Sequence, residues 1–548
     1  MKLENGDVIE KDMVDEVDWR YPDEEEESEE FELNEIANDD VFPVKLVPKE
    51  EWNAPEIKEA MEAEISKFKD FEAIKEVEDE GQYRIPVRWV ISEKGDDGKG
   101  HKFKARLCMR GDREKDRELI RSDSPTVAKE SIKIALTIAA NEKFKIRCGD
   151  IKSAYLQGID VARDVFVKPP EEAEAGDKLW QLIKGAYGIM DGGRLFYLKL
   201  KETLHNLGMH EVHSDGAVFS YVKEGKLHGL IISNVDDLLM IGDAVFDVEV
   251  VEKLQKEFKF SKMEEGTFVY CGCRIRVNND GTIDLDQAEY IDNLVKIDKV
   301  EGDDDRELTA QEKTEARGKV GALLWISLIT RPDLSFDVNA LSCEVSKGRV
   351  KTIKEINRVI SVAKEKKNIL KFIRLGDLTN LKVSVYADAS FSNGGEPQKT
   401  VAGRVIMIEN SRTERVNVVS WRSKKIARVC RSIKAAETRA LDEALDEGVH
   451  VARIIKEIYE GKIDLKNPAQ IPVEAYTDNK SLWENIHNTR QCEERLLRNS
   501  IAGMKELIEN KMVNDVKWVP TNKQLADCLT KKAKKGDWLL DVVGTNVK

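Results

Sequence analysis

The stretch Gly229-Leu230-Ile231-Ile232-Ser233-Asn234-Val235-Asp236-Asp237-Leu238-Leu239-Met240-Ile241-Gly242 constrains the fold of this chain most strongly. Two apolar runs flank a polar centre, which predicts a β-hairpin with an acidic pair at its tip. Upstream, Phe144, Ile146, Cys148 and Asp150 fall at period two. Asp150 is therefore expected to end a strand, on an otherwise apolar face. An unpaired charge there is expensive. At an effective dielectric of ~20, two unit charges about 4 Å apart repel by about 4 kcal/mol, and a divalent cation relieves that repulsion. Mg²⁺ takes hard oxygen ligands and keeps several waters, so two or three carboxylates plus phosphates suit it. Taken alone, Asn-Val-Asp-Asp also fits an ordinary turn, because Asn and Asp favour turns.

A second acidic set lies further on. The pattern from residue 381 predicts three strands, near 383–388, 401–409 and 416–421. A long helix with Glu437, Ala440, Leu441 and Ala444 follows, then a strand near 473–478, two helices, a strand near 516–519 and a last helix from about Asn522. Asp388 and Asp478 are expected at strand ends. Glu437 lies one turn from Ala440 and Leu441, so it projects from a helix docked on the sheet. Asp527 falls on the closing helix. Each acid alone is a weak signal, since Asp is common at strand ends and helix starts.

Bulk properties narrow the class. Of the chain's 548 residues, the first 50 hold nineteen Asp and Glu against five Lys and Arg. The remainder is nearly balanced, at 84 acidic against 83 basic. Residues 1–50, with Asp23-Glu24-Glu25-Glu26-Glu27-Ser28-Glu29-Glu30, read as an acidic disordered leader or linker, because like charges repel and few apolar residues offset the ordering entropy. No run approaches the roughly 18 apolar residues of a membrane span, and the start lacks an apolar signal segment, so no membrane partner is expected. The eight cysteines form no C-x-x-C pair or Cys/His cluster, which argues against a disulfide framework or zinc module. Short apolar strands alternate with helical patterns in both halves, as in α+β and α/β multidomain chains.

Several motifs then occur in one order. They are Trp89-Val90, Lys104-Ala105-Arg106-Leu107-Cys108-Met109-Arg110-Gly111, Ser124-Pro125-Thr126-Val127, Asp150-Ile151-Lys152-Ser153-Ala154-Tyr155-Leu156-Gln157-Gly158, Tyr187-Gly188 with Arg194, Val235-Asp236-Asp237 and Thr330-Arg331-Pro332-Asp333. In order and rough spacing this set resembles copia-like reverse transcriptases of LTR retrotransposon Pol polyproteins, over about residues 51–345. The element order from 381 likewise resembles the ribonuclease H fold.

The resemblance implies a right-hand polymerase with fingers, palm and thumb (51–298), a helical connection (299–378), a C-terminal ribonuclease H-like domain (379–535) and a tail (536–548). It implies that Asp150, Asp236 and Asp237 hold two Mg²⁺ for polymerisation. Asp388, Glu437, Asp478 and Asp527 would hold two more for cleaving RNA in a hybrid, with Mn²⁺ a possible substitute in both sites. Tyr155 resembles the family's aromatic gate against a 2′-hydroxyl; the plainer reading is a core tyrosine. Lys104, Arg106 and Arg110 resemble the strand that contacts triphosphate and template, against the plainer reading of a solvated face. Arg194 would contact template or nucleotide. The implied partners are an RNA template, a DNA primer or RNA–DNA hybrid and dNTPs, with the integrase and capsid of the same element. The implied location is a cytoplasmic virus-like particle, with nuclear entry a further expectation.

Three departures from the family pattern bear on nucleotide and substrate handling. Asn234 stands where the family usually has Tyr. Ile189-Met190-Asp191 stands where it usually has Gln, often after Lys, and an acid there is unfavourable unless it points away or pairs with Arg194. Thr489-Arg490-Gln491-Cys492-Glu493-Glu494-Arg495 replaces a Lys-His-Ile-Asp run found in many members. These departures motivate a competing reading: a catalytically decayed or domesticated nucleic-acid-binding protein.

Overall fold

The computed structural model describes residues 46–94, 102–298, 300–366, 368–391, 400–461, 471–489, 492–532 and 538–548. The acidic leader therefore lies outside the described residues up to residue 45, as do Arg490, Gln491 and 533–537. Two compact units are present. Among the described residues the smaller takes in 46–64 together with 88–94 and 102–107. Its apolar centre consists of Val47, Ile57, Met61, Ile91 and Ala105, with Trp52 and Trp89 packed against it. The strands Val87–Lys94 and Lys102–Met109 pair as a two-stranded sheet.

The larger unit spans 65–87 and 108–548. Its first helix, α1 (Lys129–Glu142), is buried at ten of the eleven positions from Ser131 to Asn141, Ile132 being the exception. Such a helix belongs inside the fold. It packs on a six-stranded sheet made of β1 (Lys145–Ile151), β2 (His210–Glu211), β3 (Val218–Lys223), β4 (Lys226–Asn234), β5 (Asp237–Gly242) and β6 (Phe260–Glu265). The order is β6-β1-β5-β4-β3-β2. Helix α2 (Gly192–Asn206) contributes Phe196, Leu200 and Leu204 to a second core with Phe219, Ile231 and Phe246.

A four-stranded sheet follows: β7 (Thr267–Tyr270), β8 (Cys273–Val277), β9 (Ile283–Asp286) and β10 (Leu370–Phe372). Its last strand arrives after three helices, α3 (Ala310–Ile329), α4 (Ser335–Glu344) and α5 (Val350–Glu365). Leu323, Ile326, Val338, Ile356 and Ile360 bind these helices into one core. The Thr330-Arg331-Pro332-Asp333 motif has a structural job here. Arg331 is fully buried, salt-bridged to Asp333 at 2.9 Å. Its Nη1 donates to the carbonyls of Ala363 and Lys366 at 2.7 and 2.6 Å, so the guanidinium caps the carboxyl end of α5.

The C-terminal domain carries five strands: β11 (Leu381–Ser390), β12 (Val401–Asn410), β13 (Val416–Lys425), β14 (Val473–Thr477) and β15 (Asp515–Trp518). Their order is β13-β12-β11-β14-β15, with β11, β12 and β13 antiparallel and β14 and β15 parallel to β11. The long helix α6 (Ile433–Glu460) covers the sheet, and α7 (Lys480–His487) and α8 (Arg498–Glu509) complete the set. This is the expected strand–helix order up to β15. The closing helix differs: Asp527 sits in a single 3₁₀ turn, Asp527–Leu529, and the α-helix α9 comes only at Trp538–Thr545. Pro520 breaks the helical pattern just before the turns begin. Residues 538–548, set apart from the sequence as a tail, bury Leu539, Val542 and Val543.

This domain docks directly on the first sheet's layer. Ser214 donates from both N and Oγ to Glu457 of α6 at 2.9 Å, and Tyr459 donates to Glu142 of α1 at 2.8 Å. Buried Trp421 of β13 donates to the Ser327 carbonyl at 2.7 Å. The Lys133 ammonium lies 3.8 Å from the Trp421 ring centroid, and burial pulls its pKa down to about 7. Among the described residues no helix is long and apolar enough to cross a membrane.

Candidate active sites

The first site lies where β1 meets the β4–β5 hairpin. Asp237 is directly opposite Asp150 in the antiparallel register, and Asn234 is opposite Asp237. Directly opposed residues emerge on the same face, with Cβ atoms roughly 5 Å apart. Val235 and Asp236 make the two-residue turn between the strands, so the predicted hairpin and its acidic tip are present. The turn is tight enough to force Val235 to φ +55°, a conformation a β-branched residue reaches only under strain. The Asp236 carbonyl accepts from Ile151 N at 2.9 Å. That bond ties the tip to the strand bearing Asp150.

Glycines explain two further motifs. Met109 N donates to Tyr187 O at 2.7 Å, and Gly111 N to Gly188 O at 3.0 Å. Gly188 has φ +86°, and a Cβ there would meet Met109 O at 2.1 Å. The Arg110-Gly111 and Tyr187-Gly188 segments thus interlock backbone to backbone, which only glycine allows. Tyr155 is half-buried, with its ring edge-on to Tyr187 at 4.8 Å.

The basic residues fall in different settings. Arg106 is buried and Lys104 half-buried, so neither lies on a fully solvated face. Arg110 is bidentate to Asp112, both bonds 2.8 Å. Arg194 pairs with Asp123 at 2.8 Å. Asp191 pairs with Arg163, not with Arg194, at 2.6 Å, and Arg163 also holds Glu114 at 2.6 Å. Glu114 in turn accepts from Met190 N at 3.1 Å. Nothing in the local sequence signals this trio, because its members come from three separate segments.

The second site is on the C-terminal sheet. Asp388 stands near the end of β11, Asp478 directly follows β14, and Glu437 comes from the second turn of α6. One ligand atom from each lies within 4.8 Å of the other two. Asp388 and Glu437 are buried, at 4% and 5% exposure. Burial, followed by the charges of Asp388 and Asp478, pushes the Glu437 carboxyl up to about 9. Burial also raises Asp388 to about 6, reinforced by Asp478 and Asp527 and opposed by a hydrogen bond from the Thr530 hydroxyl. Glu437 Oε2 is buried without a hydrogen-bond partner. Acids crowded and desolvated in this way are what a divalent cation stabilises, so the donor set fits Mg²⁺. Asp527 is outside the three-residue cluster. Its carboxylate is held by Lys531 at 2.5 Å, which sets Lys531 beside the acids.

Residues 71–307 match the family model for reverse transcriptase (RNA-dependent DNA polymerase). The chain resembles copia/Ty1-like retrotransposon Pol regions. It is 26% identical over 478 residues to the Retrovirus-related Pol polyprotein from transposon RE1 of Arabidopsis thaliana, covering 82% of this chain and 30% of that protein. It is 24% identical over 467 residues to the Transposon Ty1-DR1 Gag-Pol polyprotein of Saccharomyces cerevisiae, covering 78% of this chain and 25% of that one. The chain thus spans about a third or less of these relatives. In fold it is similar to a foamy viral protease-reverse transcriptase solved with double-stranded DNA, with a TM-score of 0.52 at 12% identity, covering 85% of this chain and 70% of that one. The expected resemblance to the copia-like group and the mixed α/β multidomain fold are borne out.

Proposed function

We propose that this chain is an RNA-directed DNA polymerase with ribonuclease H activity, which copies retrotransposon RNA into DNA and degrades the RNA of the hybrid. The observation that carries the reading is the register of the first sheet: Asp150 faces Asp237 across the ladder, with Asp236 at the adjoining turn. Three carboxylates so gathered suit phosphoryl chemistry, in which catalysis is positioning and charge stabilisation.

In this reading Asp150 and Asp236 are the principal ligands for two Mg²⁺, and Asp237 stands beside them. Asp388, Glu437 and Asp478 hold the second pair, joined by Asp527 once Lys531 yields it; Mn²⁺ is a substitute in both. Bound cations would activate the attacking oxygen and stabilise charge on the phosphorus centre and leaving oxygen. The protein's own part is to fix the carboxylates on rigid strands and to exclude water around Asp388 and Glu437. Tyr155, braced by Tyr187, serves as the gate against a 2′-hydroxyl. Lys104, Arg106, Arg110 and Arg194 meet template, primer or dNTP phosphates, the last two by exchanging Asp112 and Asp123 for phosphate. The hybrid would be bound through its backbone, so affinity should fall steeply with salt. Integrase and capsid of the same element are the expected protein partners, within a cytoplasmic virus-like particle.

Asp191 bears on the decayed or domesticated alternative. Asp191 is paired with Arg163 and so is directed away from Arg194, while Glu114 shares the same guanidinium and leaves the trio one net negative charge. The two-site reading is tested by Asp478→Asn. Hybrid cleavage should fall by at least a hundredfold while primer extension stays within about threefold of wild type. Loss of both activities in a folded protein would show that the sites are not independent.

A further inference from the structure

We infer that Ser261 is a positioning residue for Asp150, placed there by a β-bulge; the inference rests on the reading of Asp150 as a cation ligand. Strand β6 pairs with β1 through Phe260↔Ile151 and Lys262↔Asp150, so Ser261 is an extra residue opposite Asp150. Bulges of this kind re-aim a side chain and recur beside active sites. Here the re-aimed hydroxyl donates to Asp150 Oδ2 and also lies 3.4 Å from the Asp150 carbonyl. Without the extra residue, strand alternation would carry the side chain at this position to the other face.

The bulge is held on its other side. Gln157 Nε2 donates to Lys152 O at 2.7 Å and to Lys259 O at 3.2 Å, while its Oε1 accepts from Lys259 N at 3.0 Å. Lys152 N donates to Lys259 O at 2.9 Å. One glutamine thus fastens the segment after Asp150 to the segment before Ser261, and the hydroxyl has a fixed origin. Donation to one carboxylate oxygen orients the group and leaves lone pairs on both oxygens for a cation. Removing partners of this kind typically weakens metal affinity by about 10–100-fold. Ser261 is exposed, so its replacement should leave the core intact.

The test is Mn²⁺ binding, followed by electron paramagnetic resonance of the free ion. The full chain carries Asp388→Asn and Asp478→Asn, so that the C-terminal site is silent. In that background Ser261→Ala should weaken Mn²⁺ binding by about tenfold, and Ser261→Thr, which keeps the hydroxyl, should bind like the parent. Asp150→Asn marks the loss of the site. Equal affinity for the parent and Ser261→Ala would overturn the inference, as would a threonine variant as weak as alanine. A parent no tighter than Asp150→Asn would overturn the cation-ligand reading itself, and the positioning role with it.

Discussion

Replacing Glu437 by Gln should stabilise the metal-free protein at neutral and alkaline pH while removing a cation ligand. The folded carboxyl titrates at about 9, against an ordinary value of 4.5. In the unfolded chain it is ionised above pH 4.5, yet in the fold it keeps its proton until pH 9. Folding therefore takes up a proton across that window. The stability it contributes is fully present below the unfolded value and is lost as pH rises toward the folded one. At about 1.36 kcal/mol per unit, the loss between pH 5.5 and pH 8.0 is about 3 kcal/mol. Gln does not titrate, so the variant escapes this loss. Urea unfolding in EDTA at the two pH values, read by hydrogen exchange around Ala435–Leu441, should show the variant gaining on wild type by about 3 kcal/mol at the higher pH. Adding Mg²⁺ should reverse the ranking, because a ligand that binds only the folded state stabilises it. A difference between variant and wild type that is the same at both pH values would refute the argument from burial and crowding.

Two further substitutions probe the scaffold. Arg331→Ala should cost about 3–5 kcal/mol, since it strands buried Asp333 and uncaps α5; denaturant unfolding checks this, and a loss below about 1 kcal/mol would contradict the buried clamp. Val235→Gly should relieve the positive-φ strain and stabilise the hairpin by about 1 kcal/mol, while slowing extension as Asp236 loosens; hydrogen exchange at Ile151 together with single-turnover extension would read both effects.

Much of the site was legible because its signals are local. Asp150 at period two, the Val235-Asp236-Asp237 tip and the placing of Asp388, Glu437 and Asp478 on strands and a helix are all short-range patterns; strand register and the packing of α6 on the sheet then bring the acids together. What the sequence hid depends on register or long range. The bulge that turns Ser261 toward Asp150 leaves no mark on composition. The Glu114–Arg163–Asp191 trio joins residues up to 77 positions apart, so Asp191 looked like an intruder among phosphate contacts until its partner was seen. Arg331 stood in the sequence only as part of a motif carrying the family resemblance, yet it serves as a buried helix cap. The closing helix was misplaced because Asp527 fits a helical pattern that breaks into 3₁₀ turns after Pro520.

Primer extension on an RNA template tests the central claim most directly, comparing wild type with Asp236→Asn/Asp237→Asn in Mg²⁺ at matched folded concentration. Wild type should make DNA and the double variant should fall by at least a thousandfold, with hybrid cleavage by the second site retained in both. A wild type that binds hybrid and cleaves it but never extends the primer would contradict the polymerase assignment and favour a nucleic-acid-binding role for the first site.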